Sequence, residues 1–324
     1  EERVSLRNRL ITTSIVMITY NKASRLLLTL ESVKRLEQTK NSELIIVNDG
    51  STDQSDLILK EFQAEYQAMP LTVIETENRG RAAARNTGVH HSKGDIIIFV
   101  DDDLLLDPLF LSGHVEAHKN NKMLAVHGQI FDLPYLKLFS DPASGTYLKN
   151  VNPHASYKSL VIKKEMLMDG SINPYLQRYA KKSRFEQDIE QLLHATDSPE
   201  TGWMCFTGGN VSVRKNNLLR AGLFDEAFGR QWGCEDLELG YRLAHVGVSF
   251  LYSYIATNYH MGHFRKDIQE KHDRTLELFC KKHNDVCLEL LKKYFSGGFP
   301  SLIAWSQAVQ NLAADKAAAE RTNN

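Results

Sequence analysis

The sequence has no long apolar run and no excess of either charge. No stretch of its 324 residues approaches the ~18 uninterrupted apolar residues of a membrane span, so we expect no transmembrane segment. Lys and Arg together number 39, against 40 for Asp and Glu. This balance argues against nucleic acid as a partner, and it means that any anionic ligand must be bound by local groups.

Cysteine is also scarce, and its spacing matches neither a zinc site nor a disulfide scaffold. The four residues Cys205, Cys234, Cys280 and Cys287 form no CxxC pair. We therefore expect free thiols in a reducing compartment and a cytoplasmic protein. The N-terminus, which starts at Glu1, lacks the apolar core of a signal peptide, in keeping with that expectation.

What the sequence does have is a regular alternation of apolar strands and helices over roughly residues 1–110. The predicted strands cover residues 14–19, 43–47, 71–74 and 95–100, and helices are predicted between them. This alternation predicts a doubly wound α/β unit with a parallel sheet, whose strand ends all lie along one edge. Ligands of open α/β sheets bind at that edge.

Three consecutive aspartates, Asp101, Asp102 and Asp103, follow the fourth predicted strand. Alternate carboxylates, such as those of Asp101 and Asp103, can converge on a hard divalent cation that keeps coordination positions for phosphate oxygens. A solvated acidic turn is the alternative. The same edge carries three arginines within residues 79–85. Because arginines facing aspartates are costly without a ligand between them, we expect a metal-bound nucleoside diphosphate there.

Two further acids, Glu235 and Asp236, open a helical pattern after Gly233. In the first turn, the helix dipole favours their ionised form, while burial and nearby phosphates oppose it. A carboxylate poised in this way can act as the general base for an acceptor hydroxyl. The alternative is that both acids only complement the dipole. Glu238 is expected to pair with Arg242 four residues later.

His260 and His263 follow a strand predicted for residues 248–256. A metal ion already held by carboxylates commonly takes an imidazole as a further ligand, whereas a single surface histidine usually has no such role. Upstream, residues 131–202 are less regular and contain two basic amphipathic stretches, 157–168 and 176–193. We interpret this region as an acceptor-side insertion, and the residues beyond His263 as helices.

Several segments resemble family 2 glycosyltransferases of the GT-A fold. The nucleotide-binding half of that family is similar to Thr19-Tyr-Asn21, Asn48-Asp-Gly-Ser51, Asn78 through Gly88 and Phe99-Val-Asp-Asp-Asp103. The acceptor half, shared with chondroitin-polymerase and galactosyltransferase-like enzymes, is similar to Gly208-Gly-Asn210, Gly222 through Glu226 and Trp232 through Glu238. The resemblance spans about residues 12–265 in the right order.

This resemblance implies a fold and a division of the chain. The fold would be α/β of the GT-A type, a Rossmann-like, doubly wound mixed sheet flanked by helices, with a C-terminal helical extension. Residues 1–110 would form the nucleotide-sugar-binding half, and residues 111–265 the acceptor-binding and catalytic half of the same domain. Residues 266–324 would form the extension.

The resemblance also implies an activity, the transfer of a hexose or N-acetylhexosamine from a UDP-sugar to an acceptor hydroxyl with inversion. The acceptor would be a polysaccharide, a glycolipid, or a glycosylated peptide or small molecule. Asp101 and Asp103 would form the DxD motif that holds Mn²⁺ or Mg²⁺, with His263, favoured over His260, as a further ligand. Asp236 would be the catalytic base, with Glu235 beside it.

The remaining site residues carried over from the family fall into two groups. The nucleotide-sugar site would comprise Asp49 on the uracil together with Thr19, Tyr20, Asn21, Arg79, Arg85 and Asp102. The sugar and acceptor site would comprise Trp203, Trp232, Gly208, Gly209 and Asn210, with the two tryptophans stacking on sugar faces.

Two alternatives remain open. A sugar nucleotidyltransferase would need a glycine-rich loop after the first strand, and residues 20–24 offer none. A catalytically silent binding module would lack the metal acids or the base, and candidates for both are present. The basic residues at 163–164 and 178–184 could contact a membrane surface peripherally, although a solvated face is the simpler interpretation.

Overall fold

Strands and helices alternate from the first described residues onward, as the apolar pattern predicts. The computed structural model describes residues 12–195, 199–264 and 267–322, so residues 1–11 of the predicted first half and 323–324 of the predicted extension lie outside it. The strands are β1 (Thr13–Thr19), β2 (Ser42–Asn48), β3 (Leu71–Glu75), β4 (Ile96–Asp101), β5 (Leu104–Leu106), β6 (Leu124–Leu133), β7 (Phe139–Asp141), β8 (Thr146–Tyr147), β9 (Asn210–Arg214) and β10 (Ser249–Met261).

The helices lie between and after these strands. They are α1 (Ala23–Val33), α2 (Ser55–Glu65), α3 (Arg81–His91), α4 (Phe110–Ala117), α5 (Lys164–Asp169), α6 (Ile172–Tyr179), α7 (Arg184–Ala195), α8 (Pro199–Gly202), α9 (Lys215–Ala221), α10 (Glu235–His245), α11 (Ile268–His283), α12 (Val286–Phe295) and α13 (Leu302–Thr322). Short 3₁₀ turns cover Pro134–Leu138, Ala155–Leu160, Trp203–Cys205 and Glu226–Phe228.

Eight strands form one mixed sheet in the order β3-β2-β1-β4-β9-β6-β10-β5. Strands β3, β2, β1 and β4 are parallel to one another, which confirms the prediction for the first part of the chain. Strand β9 runs antiparallel to both β4 and β6 and joins the two parts of the sheet. The C-terminal ends of β1, β2 and β4 therefore lie side by side, and they bring Thr19, Asp49 and Asp101 to one edge.

The two faces of β1 contact different layers of the core. Ile15 and Met17 belong to a cluster that contains residues of α1 and α2, whereas Val16 belongs to one that contains residues of α3 and α10. Because side chains alternate along a strand, a strand covered on both faces must be apolar throughout. Strand β4 meets this requirement, since Ile96 to Val100 are at most 1% exposed.

Each of the two amphipathic stretches expected within residues 131–202 is divided in the structure. The first contains a 3₁₀ turn and the short helix α5, and the second is divided between α6 and α7. The break occurs because the main chain of Lys181 forms a two-way bridge with Asp132, with N···O distances of 2.7 and 2.9 Å. This bridge ties the segment to β6, and α7 begins three residues later, at Arg184.

Strand β10 is longer than the sequence indicates. Its pairing with β6 is interrupted between Ser253 and Asn258 and then resumes as far as Met261. The polar residues around the interruption hide this continuation in the sequence pattern. His260 consequently lies within the strand, opposite Leu104 of β5, rather than after it.

The last three helices pack around a second large apolar cluster. Residues of α11, α12 and α13 meet α7 and the 203–205 turn there, which confirms the helical C-terminal region. The four cysteines are free thiols, as expected. In the part of the chain that the structure describes, no helix combines the length and apolar character needed to cross a bilayer. The division of the chain at residues 110 and 265 stays a prediction.

Candidate active site

A cavity of about 770 Å³ opens at the C-terminal ends of β1, β2 and β4. Most of the residues predicted for the site line it. They are Thr19, Tyr20, Asp49, Arg85, Asp101, Asp102, Asp103, Gly208, Gly209, Trp232, Glu235, Asp236 and His260. The fold thus gathers side chains from both predicted halves of the chain around one volume, large enough for a nucleotide-sized ligand.

Asp49 is held at the end of β2 by two main-chain donors. Its two carboxylate oxygens accept hydrogen bonds from the N–H groups of Arg79 and Gly80, each at 2.9 Å. Gly80 has a φ of +96°, and a Cβ there would overlap the carbonyl of Gly229, so this turn requires glycine. Burial raises the pKa of Asp49 above its ordinary value. The carboxylate therefore has a fixed orientation at the cavity wall.

Asp102 joins the ends of β4 and β1. It accepts hydrogen bonds from the Thr19 hydroxyl at 2.7 Å and from the main-chain N–H of Tyr20 at 3.3 Å. Burial, together with the charge of Asp103, raises the pKa of Asp102 to about 7. Asp102 is 7% exposed, and its contacts are those of a group that positions the β1 loop.

Arg85 lies between two acids that come from opposite sides of the cavity. Its side chain is 2% exposed and donates to Asp101 at 3.0 Å and to Glu235 at 2.9 Å. Gly208 packs against the guanidinium, where a Cβ would overlap Arg85. One oxygen of Glu235, Oε2, is buried without a hydrogen-bond partner among the described residues. Arg85 thus connects β4 to the start of α10. Oε2 of Glu235 is left to bind a ligand.

Asp103, His260 and His263 form a cluster that could hold a metal ion, with one donor atom from each lying within 4.8 Å of the others. Oδ2 of Asp103 is 3.0 Å from Nε2 of His263 and 3.7 Å from Nε2 of His260. The other ring nitrogen of His260 lies 2.9 Å from Oδ1 of Asp132. A carboxylate and two imidazoles, one of them oriented by an outer carboxylate, suit a divalent cation such as Mn²⁺.

The charges within this cluster reinforce one another. Burial acts to raise the pKa of Asp103, but the positive charges of His260 and Lys22 outweigh it and hold that pKa well below its ordinary value. Burial likewise acts to lower the pKa of His260, and the charge of Asp103 raises it to about 9. A metal ion requires Asp103 ionised and His260 neutral, so its binding would release the His260 proton.

The metal cluster differs from the expected one in two respects. Asp101, which the DxD motif pairs with Asp103, is the last residue of β4 and its carboxylate binds Arg85 instead of joining the cluster. Both His260 and His263 belong to the cluster, so the structure does not select one of them.

Asp236 occupies the first turn of α10, as the sequence indicates. Its oxygens accept hydrogen bonds from the main-chain N–H groups of Gly208 at 2.9 Å and Leu237 at 2.8 Å. Burial, and then the charge of Glu235, raise the pKa of Asp236 to about 6. An acid with this pKa is ionised at neutral pH and still basic enough to accept a proton. Glu238 in the next turn pairs with Arg242, as expected.

The structure corrects two of the predicted sugar-binding residues. Trp203 is 1% exposed, and its ring packs edge-on against Tyr241, Phe279 and Trp305 at centroid distances of 5.6 to 5.9 Å. It cannot stack on a sugar because the C-terminal helices cover it.

The Asn210 side chain is also buried and bonds to neighbours that include His114 and the Ala256 carbonyl, so it supports β9 instead.

Two of the predicted nucleotide-binding residues lie beside the cavity rather than in its wall. The amide oxygen of Asn21 accepts a hydrogen bond from the main-chain N–H of Thr52 at 2.7 Å and so joins two loops. The side chain of Arg79 is 62% exposed and pairs with Glu226. Asn21 therefore joins two loops beside the cavity, and Arg79 forms an exposed ion pair.

Other residues of the cavity went unrecognised in the sequence. Lys22 reaches the metal cluster, and Asp132 orients His260. Phe185, Glu186 and Ile189 of α7 form part of the cavity wall. Only Lys22 could have been found from the sequence, because it directly follows the segment Thr19-Tyr-Asn21 that resembles the family. The others depend on how residues 131–202 fold back onto β6.

Residues 14–180, just over half of the chain, match the model of the family described as Glycosyl transferase family 2. The chain is 27% identical over 298 residues to the uncharacterized glycosyltransferase YfnE of Bacillus subtilis, covering 89% of this chain and 74% of YfnE. It is 30% identical over 242 residues to chondroitin synthase of Escherichia coli, covering 73% of this chain but 33% of that enzyme. The chain thus spans about a third of chondroitin synthase.

Solved structures share the fold at low sequence identity. GalNAc-T7 with UDP, GalNAc and Mn²⁺ superposes with a TM-score of 0.55 at 17% identity, covering 83% of this chain and 48% of that one. A mannosyltransferase of Pyrobaculum calidifontis in complex with GDP-Man and Mn²⁺ gives 0.54 at 16% identity, covering 89% and 65%. These likenesses, with the mixed sheet, show the GT-A fold. The family match, which covers just over half of the chain, establishes that the chain belongs to glycosyl transferase family 2.

Proposed function

We propose that this glycosyltransferase moves a hexose or N-acetylhexosamine from a UDP-sugar to an acceptor hydroxyl, with inversion and with the help of a divalent cation. One observation carries the proposal: the same cavity contains a carboxylate with a pKa of about 6, Asp236, and a cluster suited to a metal ion around Asp103. A base and a metal site in one cavity are what displacement of a nucleoside diphosphate by a hydroxyl requires.

The donor would occupy the edge formed by β1, β2 and β4. Asp49, with its fixed carboxylate, would accept a hydrogen bond from the N3–H of the uracil. Thr19 and Tyr20 would lie beside the base and ribose. UDP is favoured because GalNAc-T7 was crystallised with UDP. The structure with GDP-Man shows that the fold itself admits another base, so the nucleotide must be tested directly.

The metal ion would be held by Asp103, His260 and His263 and would be Mn²⁺ or Mg²⁺. When bound, it would offset the negative charge that develops on the departing diphosphate. Asp101 would take part indirectly, because its carboxylate fixes Arg85. Arg85 would add a buried positive charge near the same phosphates and hold Glu235 in place.

Asp236 would take the proton of the acceptor hydroxyl as the oxygen attacks the anomeric carbon. The bond from that carbon to the diphosphate oxygen breaks in the same step, and UDP leaves with the electron pair. The N–H groups of Gly208 and Leu237 hold both oxygens of Asp236, so the carboxylate keeps its direction during the transfer. Oε2 of Glu235, which has no hydrogen-bond partner among the described residues, would accept a hydrogen bond from a hydroxyl of the sugar or of the acceptor.

The acceptor would enter from the side of Trp232, Gly209 and α7, which line the same cavity as Asp236. A carbohydrate or a glycoconjugate fits this wall, because Trp232 and Phe185 offer ring surface and the Gly208–Gly209 turn lets a ligand approach the backbone closely. A cytoplasmic location and a peripheral membrane contact stay predictions.

The proposal is tested by incubating the protein with a panel of UDP-sugars and GDP-sugars, Mn²⁺ and simple sugar acceptors, and by measuring the nucleoside diphosphate released. We expect one UDP-sugar to be consumed in a chelator-sensitive reaction that Asp236→Asn slows. NMR of the product should show inverted anomeric configuration. Retained configuration would contradict the proposed role of Asp236, and release of GDP from a GDP-sugar alone would contradict the proposed donor.

A further inference from the structure

We propose that the ammonium group of Lys22 occupies the metal cluster in the free enzyme. A divalent cation displaces this ammonium group, which then binds the diphosphate of the nucleotide. The inference rests on the proposed function, since it concerns the same metal and nucleotide. It adds an order to their binding: Lys22 weakens metal binding in the free enzyme and strengthens nucleotide binding once the metal is present.

The position of the ammonium group carries this inference. Nζ of Lys22 lies 3.1 Å from Oδ2 of Asp103 and 2.6 Å from Nε2 of His263. An ammonium group has no lone pair and can only donate, so Nε2 of His263 accepts. The Nδ1 of the same ring lies 3.2 Å from the carbonyl oxygen of Phe264, to which it donates. Lys22 therefore uses the lone pair that a metal ion would use.

A divalent cation and this ammonium group cannot be bound in the same place. A metal ion held by Asp103 and His263 would use the carboxylate oxygen and the ring nitrogen that Nζ of Lys22 now contacts. Two cations on the same two atoms would also repel each other strongly. Metal binding must therefore move the Lys22 side chain away from Asp103 and His263.

The local structure lets the Lys22 side chain move while its backbone stays. The Lys22 carbonyl accepts the first hydrogen bonds of α1, from the N–H groups of Arg25 and Leu26, both at 2.9 Å. These bonds do not involve the side chain, which is 24% exposed and lines the cavity. A displaced ammonium group stays within the volume where the diphosphate would lie, and a phosphate oxygen is its natural new partner.

The test compares Lys22→Met with the wild type in calorimetric titrations, first with MnCl₂ alone and then with UDP at saturating Mn²⁺. If the ammonium occupies the cluster about nine-tenths of the time, Lys22→Met should bind Mn²⁺ about tenfold more tightly. The same variant should bind UDP about tenfold more weakly, because a charge-assisted contact to phosphate is lost. Opposite changes in the two affinities distinguish this role from a structural one.

Two further variants serve as controls. Lys22→Arg keeps a positive charge and should stay near the wild type in Mn²⁺ affinity. Lys34→Met removes a lysine of similar exposure, 21%, that pairs with Glu31 and Glu65, and it should change neither affinity. Melting temperatures of all variants check that they are folded.

Each outcome bears on one of the two proposals. Equal or weaker Mn²⁺ binding by Lys22→Met would overturn the role of Lys22, even if UDP still binds with the metal. Wild-type protein that binds Mn²⁺ neither alone nor with UDP would instead remove the metal site, and with it the proposed function.

Discussion

The main-chain N–H of Gly208 donates to Oδ2 of Asp236 at 2.9 Å. This bond joins the turn before β9 to the first turn of α10, and the Leu237 N–H holds the other oxygen at 2.8 Å. Burial, and then the charge of Glu235, raise the pKa of this carboxylate, and together they outweigh the lowering effects of the Arg85 charge and of the two main-chain donors. The resulting pKa is about 6, where a base is effective.

Asp236→Asn should abolish most of the turnover while leaving nucleotide binding nearly intact. An amide keeps the size of the side chain but cannot accept the proton, and loss of a positioned base lowers rates by ~10² to 10⁴-fold. Steady-state kinetics and a UDP titration measure the two effects. Asp56→Asn, which changes a half-exposed acid in the first turn of α2 that pairs with Lys60, is the matched control and should change neither. Retained turnover in Asp236→Asn would remove Asp236 from this role.

The rate should rise with pH through about 6 and then level off, since only the ionised form of Asp236 accepts a proton. The sign follows from the raised pKa: below it the base is protonated and idle, and above it the base is available. Measurement of kcat from about pH 5 to 8, with circular dichroism at each point to confirm folding, checks this limb. A rate that falls over the same interval would contradict the base assignment.

Gly208→Ala should be far more harmful than Gly209→Ala. A Cβ on Gly208 would overlap the Arg85 guanidinium, whereas one on Gly209 would lie 3.5 Å from the nearest Asp101 oxygen, an ordinary contact. Displacing Arg85 would leave Asp101 and Glu235 without their shared partner, and breaking the buried pair with Glu235, whose side chain is 5% exposed, costs about 3 to 5 kcal/mol. Thermal unfolding and UDP affinity should both drop for Gly208→Ala. Equal melting temperatures for the two variants would show that Arg85 can move freely.

Trp203 and Trp232 should respond differently to the same substitution. Trp203→Leu leaves a void among the rings of Tyr241, Phe279 and Trp305, and it should lower the free energy of unfolding by about 3 kcal/mol. Trp232→Leu removes ring surface from the cavity wall and should raise the acceptor KM about three- to tenfold. Chemical denaturation and acceptor kinetics separate the two effects. A normal KM in Trp232→Leu would exclude stacking on the acceptor.

The parts of this structure that follow from local patterns could be predicted from the sequence. Apolar runs define β1 and β4, and parallel strands must bring Thr19, Asp49 and Asp101 to one edge. The first turn of α10 likewise follows from the helical spacing after Gly233. In each case the pattern lies within a few residues, and the parallel order of the strands then determines which residues meet at the edge.

The parts that depend on distant contacts could not be predicted. Trp203 is buried because α11 and α13 pack on it about 70 to 100 residues later in the chain. Asp132 reaches His260 because β10 resumes its pairing with β6 after an irregularity. The aspartate motif did not reveal that Asp101 binds Arg85, since spacing alone says nothing about which carboxylate meets which partner.

A calorimetric titration of the wild type with UDP, in Mn²⁺ and again in chelator, tests the central claim most directly, with GDP and dTDP as competitors and Asp103→Ala as the metal-site variant. We predict selective UDP binding that requires Mn²⁺ and that Asp103→Ala weakens at least about tenfold. UDP affinity that is the same with Mn²⁺, with chelator and in Asp103→Ala would contradict the metal site, and no binding of any of the three nucleotides would contradict the donor site.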